Sequence, residues 1–231
     1  FVASIVAFVV AVVGGLASVT HLSHPDRMLN ALQHPTSGIF VEAALIGCFC
    51  VCVAIYAIMV KRGVSESARK VVVVIGAAFG IALSFMAGES YMMEARPNWN
   101  TPLLPLGYLG TAIPAGVAAY LTVVAARKEI DDAKPYAVTL LVGGVVAAVT
   151  ALAYGLSAGA LDATTGMLLA LCVVGAGVVP AACGAVLRTK ANSLLALAAA
   201  SLVCALVGAV AYRCIMWLIT VPVSDLFGIV L

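Results

Sequence analysis

The sequence predicts an all-α fold: a polytopic bundle of seven transmembrane helices forming one integral membrane domain over residues 1–231. Three observations carry that prediction. Charged residues make up only 10% of the chain, against about 25% in a typical soluble domain. Seven apolar runs are each long enough to cross a ~30 Å hydrocarbon core, which takes ~20 helical residues. The connectors between the runs also alternate in basic charge. A membrane β-barrel is excluded because the runs are continuous rather than alternating with a period of two. Helices remain, since lipid cannot satisfy exposed backbone groups.

Taken in order, the spans fall at Phe1–Thr20, Ile39–Val60, Val71–Met92, Leu103–Ala125, Ala137–Ser157, Gly166–Leu187 and Leu194–Ile219. The tail from Val221 to Leu231 is too short to span. Small residues at Gly76-x-x-x-Gly80, Gly155-x-x-x-Gly159 and Gly143-Gly144 are expected to let helices approach closely. Pro105, Pro114 and Pro180 are expected to kink their helices or interrupt the hydrogen-bond ladder. No cleavable signal peptide is expected, because the first run lacks a basic leader and a small-residue cleavage site.

Charge sorts the connectors. Nine of the twelve basic residues (Lys61, Arg62, Arg69, Lys70, Arg127, Lys128, Lys134, Arg188 and Lys190) follow the second, fourth and sixth runs. By the positive-inside rule that face is cytoplasmic. Arg27, Arg96 and Arg213 lie at the opposite ends of their helices. The outer face therefore collects His21, His24, Arg27, His34, Glu42, Glu89, Glu94, Arg96, Trp99 and Arg213.

The stretch from His21 to Glu42 holds all three histidines of the chain, with Arg27 and Glu42 beside them. Ionisable groups at a membrane boundary are costly and therefore mark candidate sites. His21 follows directly on the first run, where an imidazole can take a proton at neutral pH; the plainer alternative is an interfacial histidine bonded to headgroups. Glu42 is either an ordinary helix-end carboxylate or a proton carrier facing the bundle interior. Arg213, inside the last run, either snorkels outward or pairs with a carboxylate such as Glu42. Tyr91 and Trp99 suit interface anchoring, and Arg96 has Glu89, Glu94 or a docking subunit as candidate partners. His24 and His34 read as bystanders.

A haem relay would need histidines on facing helices, and none occurs after His34. The seven cysteines form no CxxC and no iron–sulfur or zinc ligand pattern. Cys48, Cys50 and Cys52 read as small helix-facing or lipid-facing residues. No haem or iron–sulfur cluster is expected on this chain, and no metal.

The run His21-Leu-Ser-x-Pro25-x-Arg27, followed by Ser37-x-x-x-x-Glu42, resembles the membrane anchor subunit family of dimethyl sulfoxide reductase. Two further regions support it: Tyr91 through Pro97-x-Trp99 to Pro102, and Arg213-x-x-Met216-Trp217. Ser23 replaces the family's usual glycine, and the family's Glu-x-x-Gly before the last arginine is absent. The family is typically eight-helical, so a further helix ahead of Phe1 is expected.

The resemblance implies the anchor of a respiratory molybdopterin oxidoreductase in a prokaryotic cytoplasmic membrane. Such an anchor oxidises menaquinol near the outer face. It passes electrons to a docked four-cluster iron–sulfur subunit, which feeds a molybdopterin catalytic subunit. The family's quinol-site residues map onto His21, Arg27 and Glu42, with Arg213 a supporting candidate. In that scheme His21 takes one proton, Glu42 accepts or relays the other, and Arg27 orients them or stabilises the anionic form of the quinone. The other partner is the lipid bilayer, and no nucleic acid is expected. The alternatives are a transporter or channel, disfavoured because the polar groups gather at one end rather than at the midplane, and an anchor with a purely structural role.

Overall fold

The computed structural model describes residues 1–20, 30–130, 132–159, 161–189 and 193–219. Among these the chain is helical and contains no strand. The helices are α1 (Val2–Val19), α2 (Gly38–Lys61), α3 (Glu66–Glu89), α4 (Leu103–Arg127), α5 (Lys134–Ser157), α6 (Ala163–Cys172), α7 (Val179–Leu187) and α8 (Leu194–Leu218). A π-helical segment, Val173–Val178, joins α6 to α7, so these three pieces make one continuous span over Ala163–Leu187. Seven helices among the described residues are long and apolar enough to cross a membrane, as the sequence predicts.

The first compact unit comprises Phe1–Ser90. In it α1 packs on α2, and α2 on α3. Neither α1 nor α2 contains a buried residue, and α3 buries only Gly76 and Gly88. Contact depends on small residues: a Cβ added at Gly76 would come within 3.1 Å of the Cys52 Cβ. α3 begins five residues before the apolar run that predicts it, because Glu66 and Lys70 pair one turn apart at 2.8 Å and extend the helix into the polar connector.

The second unit comprises Tyr91–Leu231. α4 packs against α5 and α8, and the π segment lies against both α5 and α8. Backbone meets backbone there. A Cβ at Gly208 would sit 2.4 Å from the Ala176 nitrogen, and one at Gly144 would sit 2.5 Å from the Gly177 carbonyl oxygen. Towards the basic connectors the core is Ala118, Leu121, Ala137, Leu140, Cys183, Leu187 and Ala198.

The prolines divide into three cases. Pro105 lies in the first turn of α4, where a missing N–H costs nothing, and Pro114 lies inside it. Pro180 opens α7 directly after the π segment. The wider π turn accommodates a ring that would otherwise clash with the carbonyl four residues back. Gly159 corrects one expectation. A Cβ added there would meet nothing within 4 Å, and the residue instead follows the end of α5 with φ +88°, the left-handed conformation glycine adopts past a helix C-terminus.

Candidate functional site

Two groups of polar and aromatic side chains lie at the helix ends away from the basic connectors, one in each unit. In the first unit Ser37 caps α2, its hydroxyl accepting from the Phe40 N–H at 3.3 Å. That cap sets the start of the helix and hence the direction in which each later residue points. Gly38 and Glu42 are then one turn apart on the same side of α2. Ser90, the residue after α3, lies against that side: a Cβ on Gly38 would fall 2.6 Å from the Ser90 Cβ. The Ser90 hydroxyl donates to Glu42 Oε1 at 2.5 Å. Glu42 is half-buried. Its carboxylate is thus a positioned group rather than a loose helix-end charge.

His34 is exposed in the turn before α2, with its N–H bonded to the Ala31 carbonyl and its own carbonyl accepting from Ser37. His21, His24 and Arg27 lie outside the described residues.

In the second unit the 91–102 connector is stitched to α5 and α8. The Trp99 indole donates to the Met216 carbonyl at 2.7 Å, and the Asn98 amide donates to the Ile219 carbonyl. The Tyr154 hydroxyl donates to the Asn98 carbonyl at 3.2 Å. Aromatic rings stack outward from this tie. Trp99 meets Trp217 edge to face at 5.0 Å, and Tyr91 touches Trp99, Trp217 and Tyr108. Tyr108 meets Tyr212 at 5.8 Å, and Tyr212 meets Tyr154 at 5.3 Å.

Each of two arginines lies on one of these rings. Arg96 lies 5.0 Å above Trp99, and Arg213 lies 4.5 Å above Tyr108. Arg213 also donates to the Ala209 carbonyl at 3.1 Å. An aromatic face offers a guanidinium partial compensation without a counter-ion. Trp99 departs from its expected role as an interface anchor: it is 3% exposed and belongs to the core, whereas Trp217 is 56% exposed.

A family model described as DMSO reductase anchor subunit (DmsC) matches residues 1–223. The chain belongs to that family. No curated protein and no solved structure matches it. Membership of the DMSO reductase anchor subunit family, with seven candidate spans, makes this a multi-pass membrane protein that serves as the membrane anchor of a reductase complex.

Of the residues the resemblance singles out in this family member, Glu42 and Arg213 are described, each with its own local partners. Among the described residues no group of three or more histidine, cysteine or acidic side chains could hold a metal ion. Sequence reasoning missed Ser90, the donor to Glu42. Its only signal was Gly38, placed one turn before the acidic residue where close approach is needed. It also missed the aromatic network as a network, because Trp99, Tyr108, Tyr154, Tyr212 and Trp217 come from four separate segments.

Proposed function

We propose that this chain oxidises menaquinol at the outer face of a prokaryotic cytoplasmic membrane, at a site built from His21, Arg27 and Glu42. Family membership over residues 1–223 supports the reading most strongly. The half-buried Glu42 carboxylate, held at the end away from the basic connectors, fits it chemically.

Quinol oxidation releases two protons and two electrons. His21 takes one hydroxyl proton as a general base whose ordinary pKa lies near the working pH. Glu42 takes the other, and Arg27 orients the pair. The electrons pass to a docked four-cluster iron–sulfur subunit and on to a molybdopterin subunit, the usual division of labour in this family. Protons leave on the side where they were taken, so the anchor itself need not pump.

The test is donor-specific turnover of the intact complex. His21→Phe and Arg27→Gln are expected to abolish menaquinol-driven reduction while leaving reduction by an artificial dye donor intact. Normal menaquinol oxidation in both variants would refute the site and favour a purely structural anchor.

A further inference from the structure

Ser90 terminates α3, with its N–H bonded back to the Met86 carbonyl, so its backbone is fixed by the helix it ends. Its side chain is half-buried, and its hydroxyl points across to α2. Three local devices converge on one carboxylate: the Ser37 cap that sets the phase of α2, the missing side chain at Gly38 that admits Ser90, and the Ser90 hydroxyl itself. Among the described residues of this unit, few charged side chains lie near that carboxylate. α1, the other helix on α2, carries no titratable side chain. From α3 the nearby charge is Glu89, which is exposed, and the turn before α2 contributes the exposed His34. Among the described residues the hydrogen bond to Glu42 therefore comes from a neutral donor rather than from an ion-pair partner.

A serine hydroxyl has one proton to give, and an ionised carboxylate only accepts. Ser90 spends that proton on Oε1. We infer that Ser90 is a positioning residue for quinol oxidation, presenting Oε2 of Glu42 as the oxygen that receives the quinol proton. The inference rests on the quinol reading of Glu42 given above. In the step, a quinol O–H bond breaks and an O–H bond forms at Oε2, while the electrons leave to the iron–sulfur subunit. Ser90 keeps its own proton throughout. A carboxylate without this contact rotates about its last bond and meets the hydroxyl correctly less often. That lowers turnover more than binding, since productive geometry governs the chemical step.

The experiment uses the purified intact complex with a menaquinol analogue and, separately, an artificial dye donor. Ser90→Ala is expected to lower quinol-driven kcat roughly tenfold, the equivalent of one charge-assisted hydrogen bond, with KM changed less than about twofold. Dye-driven turnover stays at wild type, and Ser90→Thr, which keeps the hydroxyl, restores most of the kcat. Should Ser90→Ala fail to assemble, Ser90→Cys keeps the bulk with a much weaker donor and carries the same expectation. Glu42→Gln separates the two claims. Wild-type kcat in the serine variants beside an inactive Glu42→Gln overturns the role of Ser90 and leaves the quinol site standing. Wild-type kcat in Glu42→Gln overturns the quinol role of Glu42, and the inference with it.

Discussion

The two compact units bury very different amounts of themselves. α4 alone buries ten residues, whereas α1 and α2 bury none. The second unit is held by glycines that bring backbones together and by a stitched aromatic network; the first has apolar helices many of whose valines and isoleucines are exposed. Exposed apolar surface is no fault in a membrane, where lipid replaces a core. The difference separates two jobs. The second unit is built to keep its shape, and the first to hold a few polar groups at the end of thinly packed helices.

The sharpest way to break that comparison is to add bulk at glycines in both units. Gly208→Val or Gly144→Val puts methyl groups onto backbone atoms, and overpacking of this kind costs about 1–3 kcal/mol or more. Loss of folded protein in detergent is the expected result. Gly14→Val and Gly47→Val, in α1 and α2 with nothing within 4 Å of an added Cβ, are expected to leave the melting temperature near wild type. Equal losses in both units would erase the distinction.

A smaller effect is expected from Trp99→Phe. It keeps the ring contacts but leaves the buried Met216 carbonyl without its indole donor. Such a loss costs about 1–3 kcal/mol, read as a lower melting temperature. Tyr212→Phe removes the hydroxyl bonded to Leu104 at 3.0 Å and is expected to cost about 1 kcal/mol.

The smallest effect concerns Asp162, which caps α6. The Thr165 backbone N–H, and then its hydroxyl, hold the Asp162 carboxyl below the ordinary aspartate range. A depressed carboxylate stabilises the fold above its ordinary pKa, and that contribution fades as pH falls through the folded value. Asp162→Ala is therefore expected to melt slightly lower than wild type at neutral pH, with the gap closing on acidification. A gap that widens in acid would contradict the cap.

How much of this was legible in the sequence follows from the physics of each feature. The spans were legible because a continuous apolar run of about 20 residues has few other fates in a membrane protein. The start of α3 was not, since Glu66, Arg69 and Lys70 look like connector until an ion pair along a helix is considered. The π segment was invisible, because Gly175, Ala176 and Gly177 read as ordinary small residues until α5 and α8 close on them. Gly159 mimicked a packing motif and proved to be a terminator. At the site, Glu42 was legible as a charge in apolar surroundings. Ser90 was not, because 48 residues separate it from Glu42 and one serine among many carries no periodic signal.

On the proposed function, the polar end of the first unit performs quinol chemistry rather than merely tolerating charge. Glu42→Gln tests it most directly, because it removes the base and keeps the shape. The intact complex should lose menaquinol-driven turnover by about a hundredfold or more, with dye-driven turnover and melting temperature at wild type. Menaquinol-driven turnover at the wild-type rate would contradict the account.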